Sequence, residues 1–555
     1  MSIVLGRDVF FEYLEDQNIP YIFGNPGTTE LPFVDGCNDH PSVRYVLALH
    51  EDIAVAQAMG WARASGKVGV VNLHVTPGVA HGLGNLYNAF HARVPLLVTA
   101  GQHHSAFRIQ EPILTSDLAA LVRPFTKWSY EVTALEELPL ALQRAFKEVN
   151  TPPFAPVFLS IASNLFLDKC EAGPPARVSR VASVVADAGA LEDAARELAK
   201  ARNPLVIAGD GVGRAGAWEQ VVAVAEALGA PVLTEGYATI WNFPADHPHY
   251  LGPMPNVATQ MRKTFDDVDV VLMCGITCQV PIARYDEGGP VVPWRVRVVS
   301  VDDSPREIGK ISPVEVGLVG DIKLNLGGLV DAVRGQSLDR AAVTARAART
   351  KDRSGARVKQ QQEEASAARV KDELSPALVA AELRDLLPSA AIYVDEAVSN
   401  RPAFVNALRF SEPLSFFSMN GISLGYSVAA AVGMQMAQPE RPVVNVVGDG
   451  SLMYYPQALW SAASAHAPVI FIVLNNGCYR VLKVIIDRMG GPWGADGERT
   501  PGLDFGSPAI DFVAMGESMG VSGQRATTPE ELRSAIERAL SADGPFLVDV
   551  VLQQD

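Results

Sequence analysis

Residues 442–451, PVVNVVGDGS, decide how the rest of the chain is read. A run of β-branched residues stops on Gly448-Asp449-Gly450-Ser451, the pattern of a buried strand that ends in a turn. Exactly 24 residues, 451–474, lie between Gly450 and Asn475-Asn476-Gly477, which closes the next such run, PVIFIVLNNG (468–477). The segment between them, LMYYPQALWSAASAHAP, has apolar residues at helical spacing, so strand, helix and strand form one βαβ unit. Asp449 and Asn476 are then expected at the carboxyl ends of strands of one parallel sheet, where such sheets bind ligands. A carboxylate and an amide oxygen form a hard ligand set suited to Mg²⁺ sharing its shell with phosphate oxygens. Gly448 and Gly450 allow close approach of backbone to phosphate, and the following helix offers N-terminal amides. Gly209-Asp210-Gly211 shows that the turn alone is weak, because no strand ending in Asn-Asn follows it at the matching distance.

Working outward, the same strand-helix rhythm fills most of the chain. IPYIFGNPG (19–27), VGVVNLHVTPG (68–78), PLLVTAG (95–101) and APVFLSI (155–161) are apolar runs that stop at turns or sit between them. DIAVAQAMGWARASG (52–66) is Ala-rich and helical. NPLVIAGDG, APVLTEG, DVVLMCG and VRVVSVD give a middle unit, and AAIYVDE, the two runs above and GPFLVDVVL give a last one. Residues 336–372 are polar and Ala/Gln-rich without an apolar stripe, and read as a surface linker with helical parts. The expected fold is α/β, three doubly wound parallel-sheet domains over residues 1–180, 185–335 and 373–555.

Composition narrows the class. At 555 residues the chain is too long for one core, and 48% hydrophobic with 19% charged residues is ordinary for a globular protein. A net charge of -16 argues against nucleic acid or an anionic membrane as partner. Five cysteines (Cys37, Cys170, Cys274, Cys278 and Cys478) show no zinc spacing and read as reduced thiols. Acidic residues in MSIVLGRDVFFEYLEDQ exclude a signal peptide, and no run of about 18 apolar residues predicts a membrane span. A cytoplasmic protein is expected.

GDGS, 24 residues and then NN resembles the cofactor motif of thiamine-diphosphate-dependent enzymes. The resemblance implies that Gly448, Asp449, Gly450, Ser451, Asn476 and Tyr479 bind thiamine diphosphate. It also implies that Asp449, the Asn476 side chain and the Cys478 carbonyl hold Mg²⁺. A thiol role for Cys478 is the competing reading. Glu51 opens the Ala-rich helix and resembles the family's glutamate that drives the cofactor's aminopyrimidine to its imino form; otherwise it only favours a helix N-terminus. In the family this glutamate and the metal site come from different subunits, so a homodimer or homotetramer with interfacial active sites is implied. FFSMNGISLGYSVAAAVG (416–433) resembles the segment that bends the cofactor, with Leu424 as prop and the Ile422 carbonyl as acceptor, although a Gly-rich turn before a helix is its bland reading. VDEAVSN (394–400) resembles the diphosphate-side loop; Ser399 fits, whereas Val398 stands where a hydroxyl is expected.

Within the family the chain most resembles the benzoylformate decarboxylases, through IFGNPGTTELPF, RYVLALHE, NLHVTPG, PLLVTAGQ, KWSYE, ALW and NNGCY in order. This places Asn25 at the cofactor and Thr28, where those enzymes have serine, at the substrate carboxylate. His74, after an apolar run and before a Pro/Gly turn, matches their active-site histidine, a group able to give and take a proton near neutrality. His50, His81, His91, His103 and His104 receive no role. A second catalytic histidine of those enzymes is missing, since Ala283 or Arg284 falls at its position. Arg480, where a small residue is expected, reads equally as a solvated side chain or a carboxylate or phosphate binder. The implied reaction is decarboxylation of an aromatic 2-oxo acid to aldehyde and CO₂. The missing histidine keeps open a carboligase or lyase making or cleaving 2-hydroxy ketones. An FAD-dependent member is disfavoured because GDGVGRAG matches a dinucleotide fingerprint only in part, and a non-catalytic protein is disfavoured by the joint presence of Glu51, His74, Asp449 and Asn476.

Overall fold

The computed structural model describes residues 2–172, 175–277, 289–371, 373–419, 421–489 and 501–552. Three six-stranded parallel sheets follow one another along the chain. The first uses Tyr21–Gly24, Arg44–Leu47, Gly69–Leu73, Leu96–Gln102, Trp128–Val132 and Val157–Ala162. Counted within its own sheet, its strands lie in the order 2-1-3-4-6-5. The last sheet, built from Ile392–Glu396, Phe416–Ser418, Val443–Gly448, Ile470–Asn475, Ser522–Ala526 and Phe546–Val551, has the same order. The middle sheet, from Pro204–Ala208 to Val316–Val319, runs 3-2-1-4-5-6. Central strands such as Gly69–Leu73 and Pro204–Ala208 are buried along their whole length, as apolar strands covered on both faces by helices must be.

In the two outer sheets the strand order reverses between the first and third strands. Their carboxyl ends carry Asn25–Glu30 and His74 in one sheet, and Ala397–Ser399 and Asp449 in the other. Reversal of this kind leaves a crevice between the turns, which is where doubly wound sheets place ligands.

The outer sheets are joined by two helices that are buried nearly all round, Glu51–Ser65 and Tyr426–Ala437. A helix apolar on every side belongs in a core, and these share one cluster that runs from Phe23 and Ile53 to Val428 and Val447. Glycines set their separation. A Cβ on Gly60 would stand 2.0 Å from the Ala430 carbonyl oxygen, and one on Gly433 2.0 Å from that of Gln57. Arg63 adds hydrogen bonds to the Ser418 carbonyl (2.6 Å) and the Tyr426 hydroxyl (3.0 Å).

The segment expected as a linker is one continuous helix, Arg340–Val370. Asp339 caps it by accepting from the Ala341 and Ala342 amides, and its buried residues are small: Thr350, Ser354, Ala365 and Ala368. It touches the middle sheet's helices through Arg346, which donates to the Leu228 carbonyl, and the last domain through Arg369 on Glu382. Contacts made by small side chains and arginines explain why no apolar stripe marks it. The helix expected after Gly450 is likewise divided, into Asp449–Leu452 and Ala458–Ser464, with Pro456 between them. Among the described residues no helix is long and apolar enough to cross a membrane.

Replacing Gly433 by valine puts a branched side chain into the Gln57 carbonyl and should cost about 1–3 kcal/mol or more, as overpacking does. Denaturant unfolding of the variant checks this, and a midpoint equal to wild type would show that the two helices can part without loss.

Candidate active site

The first half of the site is built on the turn after Tyr21–Gly24 and on the end of the neighbouring strand Gly69–Leu73. His74 immediately precedes the short helix Val75–His81, and its ring lies over Gly27, where a Cβ would stand 2.1 Å from Nδ1. Glu30 holds that ring. Its fully buried carboxylate accepts from the Gly27 amide (3.0 Å), the Thr29 hydroxyl (2.7 Å) and the Gly101 amide (2.9 Å), and meets His74 Nδ1 at 2.7 Å. A carboxylate only accepts, so Nδ1 carries the proton and Nε2 is left for other work. The bond to Glu30 raises the His74 pKa above its ordinary value, against a smaller opposing effect of burial. Thr28 is exposed at the tip of the turn and Asn25 is half-buried at its start.

Glu51 is the first residue of its helix and is 8% exposed. Gly78 separates it from His74: a Cβ there would lie 3.1 Å from both Glu51 Oε1 and His74 Cβ. The two side chains therefore flank one glycine of one cleft. Glu51 Oε2 also accepts from His81 Nδ1 at 3.0 Å.

The second half lies at the ends of Val443–Gly448 and Ile470–Asn475. Asp449 is 3% exposed. Its Oδ1 accepts from the Gly450 amide (2.7 Å), and its Oδ2 from the Asn476 (2.8 Å) and Gly477 (2.6 Å) amides. Burial pushes its pKa up, and no basic side chain among the described residues forms an ion pair with it. A buried anion with only neutral donors is stabilised by a bound cation. The oxygens of Asp449, the buried Asn476 and the Cys478 carbonyl are the donor type a hard divalent ion takes. Asn476 Oδ1 accepts from the Cys478 amide at 3.2 Å, and the Cys478 carbonyl accepts from the Arg480 amide at 3.0 Å. Burial raises the Cys478 thiol pKa, which disfavours a thiolate. Tyr479 covers Gly450, whose added Cβ would be 2.7 Å from its ring, and Ser451 is buried beside it. The donor set thus fits a diphosphate-bound metal.

Between the halves runs the segment 421–425. Glu396 is buried and accepts from the Gly425 (2.6 Å) and Ser427 (2.7 Å) amides, with burial pushing its carboxyl up to about 7. Asn88 of the first domain both donates to the Ser423 carbonyl (2.8 Å) and accepts from its amide (3.1 Å). These bonds fix Ile422 and Leu424, which are exposed and half-buried respectively. Ile422 and Val398 have φ of 61° and 49°, and Val75, next to His74, has 21°. Left-handed backbone is costly for β-branched residues, and strain of this kind collects at binding sites. Ser399 lies half-buried in the turn Val398–Asn400.

Glu30, Glu396 and Asn88 were not singled out from sequence, and His81 was named there without a role. Glu30 and Glu396 carried a faint signal, as acids beyond or at the end of an apolar strand, where a buried carboxylate needs special support. Ala283 and Arg284 lie outside the described residues, as do Cys278 and most of the charged loop after Met489.

Models of the thiamine pyrophosphate enzymes match this chain three times. The N-terminal TPP binding domain covers residues 5–118, the central domain 191–329 and the C-terminal TPP binding domain 399–550. The chain belongs to the thiamine pyrophosphate enzyme family. It is 34% identical over 549 residues to a benzoylformate decarboxylase of Pseudomonas aeruginosa, covering 98% of each chain. It is 28% identical over 559 residues to a putative acetolactate synthase large subunit of Mycobacterium tuberculosis, covering 99% of each. Among solved structures it resembles a thiamine diphosphate-dependent 4-hydroxybenzoylformate decarboxylase of Rhodococcus jostii RHA1, with a TM-score of 0.85, 30% identity and full coverage of both chains. The matched N-terminal model contains Glu30, Glu51 and His74 and the C-terminal model contains Asp449 and Asn476, so these groups fall within the cofactor-binding domains of this enzyme.

The His74–Glu30 pair predicts a pH dependence. A raised folded-state pKa contributes stability that is complete below the unfolded value and is lost as pH rises through the folded one. Glu30→Gln should lower the His74 pKa seen by NMR. It should also cost more stability at about pH 6 than at about pH 8.5. An unchanged His74 titration would show that Glu30 does not set its charge.

Proposed function

We propose that this enzyme decarboxylates a 2-oxo acid of the benzoylformate class to the aldehyde and CO₂, with thiamine diphosphate and Mg²⁺. The observation that carries the reading is the placement of Glu51 and His74 on either side of Gly78. That cleft belongs to a protein whose other half offers Asp449, buried and without an ion-pair partner among the described residues. When bound, the cofactor supplies a nucleophilic carbon and an electron sink. Asp449, Asn476 and the Cys478 carbonyl hold the metal, and Gly448, Gly450, Ser451, Ser399, Asn25 and Tyr479 surround the diphosphate and rings. Leu424 would support the bound cofactor and the Ile422 carbonyl would accept from its amino group. Glu51 holds a proton at its carboxylate for exchange with the aminopyrimidine. His74, its Nδ1 proton tied to Glu30, presents Nε2 to the substrate oxygen that gains charge; as the imidazolium that Glu30 favours, it gives its Nε2 proton to that oxygen and later takes it back. The Thr28 hydroxyl, exposed at the same turn, binds the substrate carboxylate.

The working unit is proposed as a homodimer or homotetramer with the site at a subunit interface. Leu31, Leu47 and Leu49 support this, being 57%, 41% and 45% exposed beside the Glu30 turn and the Glu51 helix. Apolar side chains gathered at a site's rim suit burial by another chain.

Steady-state assays with benzoylformate, hydroxylated benzoylformates and aliphatic 2-oxo acids test the activity, and release of neither CO₂ nor aldehyde from any of them would overturn it. Glu51→Gln should lower kcat by about 10²–10⁴-fold, the range of a lost general acid-base group. A second outcome, carboligation, is favoured by the likeness to an acetolactate synthase subunit over the whole chain. A 2-hydroxy ketone formed faster than free aldehyde would establish it.

A further inference from the structure

Glu51 does not stand alone in its cleft. His81, the last residue of the helix Val75–His81, points Nδ1 at Glu51 Oε2 (3.0 Å), while 55% of its side chain is exposed. The carboxylate side chain it contacts is 11% exposed. The His81 ring stacks on His50 with centroids 5.2 Å apart and planes at 27°, and His50 packs in turn on Tyr455 at 4.9 Å. His50 is fixed because its Nδ1 accepts from the Asp52 amide at 3.1 Å. Burial lowers the His50 pKa, partly offset by the Glu51 carboxylate. Asp52 is held by Asn85 and by Tyr455, and burial pushes it up to about 6. Tyr45 and His74 also face Glu51, and Glu30 holds His74. The acids and tyrosines among these are buried or tied to backbone and side-chain partners. His81 joins a nearly buried carboxylate to solvent.

We propose that His81, aligned by His50, relays protons between solvent and Glu51. The inference rests on the role given to Glu51 under Proposed function. A proton arrives at His81 Nε2 as the Nδ1 proton passes to Glu51 Oε2, which leaves the neutral ring with its proton on Nε2. The reverse transfer restores the carboxylate and the original tautomer, so no proton is gained or lost over a cycle. His81 is a positioning residue that acts through Glu51 and touches no substrate. A nearly buried acid that must change protonation in each turnover is served by such a route, because 11% of its side chain reaches solvent against 55% of that of His81.

The test is hydrogen-deuterium exchange at C2 of bound thiamine diphosphate, read by NMR after acid quenching of the holoenzyme in D₂O. His81→Asn keeps an N–H donor for Glu51 and removes the second ring nitrogen. It should slow exchange about tenfold or more, leave cofactor affinity unchanged, and regain speed with added imidazole, which the exposure of the site admits. Exchange at the wild-type rate in His81→Asn would overturn the relay, and so would slow exchange that imidazole does not restore. Exchange that survives Glu51→Gln would instead overturn the role of Glu51, and the relay with it.

Discussion

The close contact between the helices Glu51–Ser65 and Tyr426–Ala437 is the constraint on which the rest depends. At Gly60 and Gly433 each helix backbone meets the other's carbonyl groups, with no room for even one methyl group. Both helices begin at the site: one with Glu51, the other just after the segment that carries Ile422 and Leu424. Their separation therefore sets where the first domain's acid stands relative to the last domain's loop. Protein interiors do not deform continuously, and a contact of this kind transmits position over its whole length.

Around that contact the enzyme buries acids at the ends of strands and satisfies each with fixed donors. Glu30 has three donors besides His74, Glu396 has two backbone amides, and Asp449 has three. Charge is costly in such places unless it is paired or bonded. The cost is met differently in each case: an imidazole on Glu30, a raised pKa at Glu396, and at Asp449 a set of oxygens suited to a metal. The outcome is a site whose polar groups are oriented before any ligand arrives, which is how enzymes avoid reorganisation during reaction.

Strands in the sheet centres were legible in the sequence because both of their faces are covered, which makes them continuous apolar runs such as Val443–Gly448. The less visible strands are all sheet edges: Trp128–Val132, Tyr250–Pro253, Val316–Val319, Phe416–Ser418 and Ser522–Ala526. Edge strands are short or half-exposed, and SGQRA carries no apolar pattern at all. The long helix Arg340–Val370 was hidden for a related reason, being held by small residues and arginines.

By itself the sequence determined the parallel α/β class, the turn Gly448–Ser451 with its partner at Asn475–Gly477, and the family to which these motifs point. Spacing along one βαβ unit is local, so Asp449 and Asn476 had to meet. Glu30 on His74, His81 on Glu51, and Asn88 and Glu396 on the 421–427 segment were decided only by the tertiary structure. Each of these contacts joins different elements, and 335 residues separate Asn88 from Ser423. No periodicity records which side chains a crevice between two sheets will bring within hydrogen-bond reach; that depends on strand order and on the spacing of two buried helices.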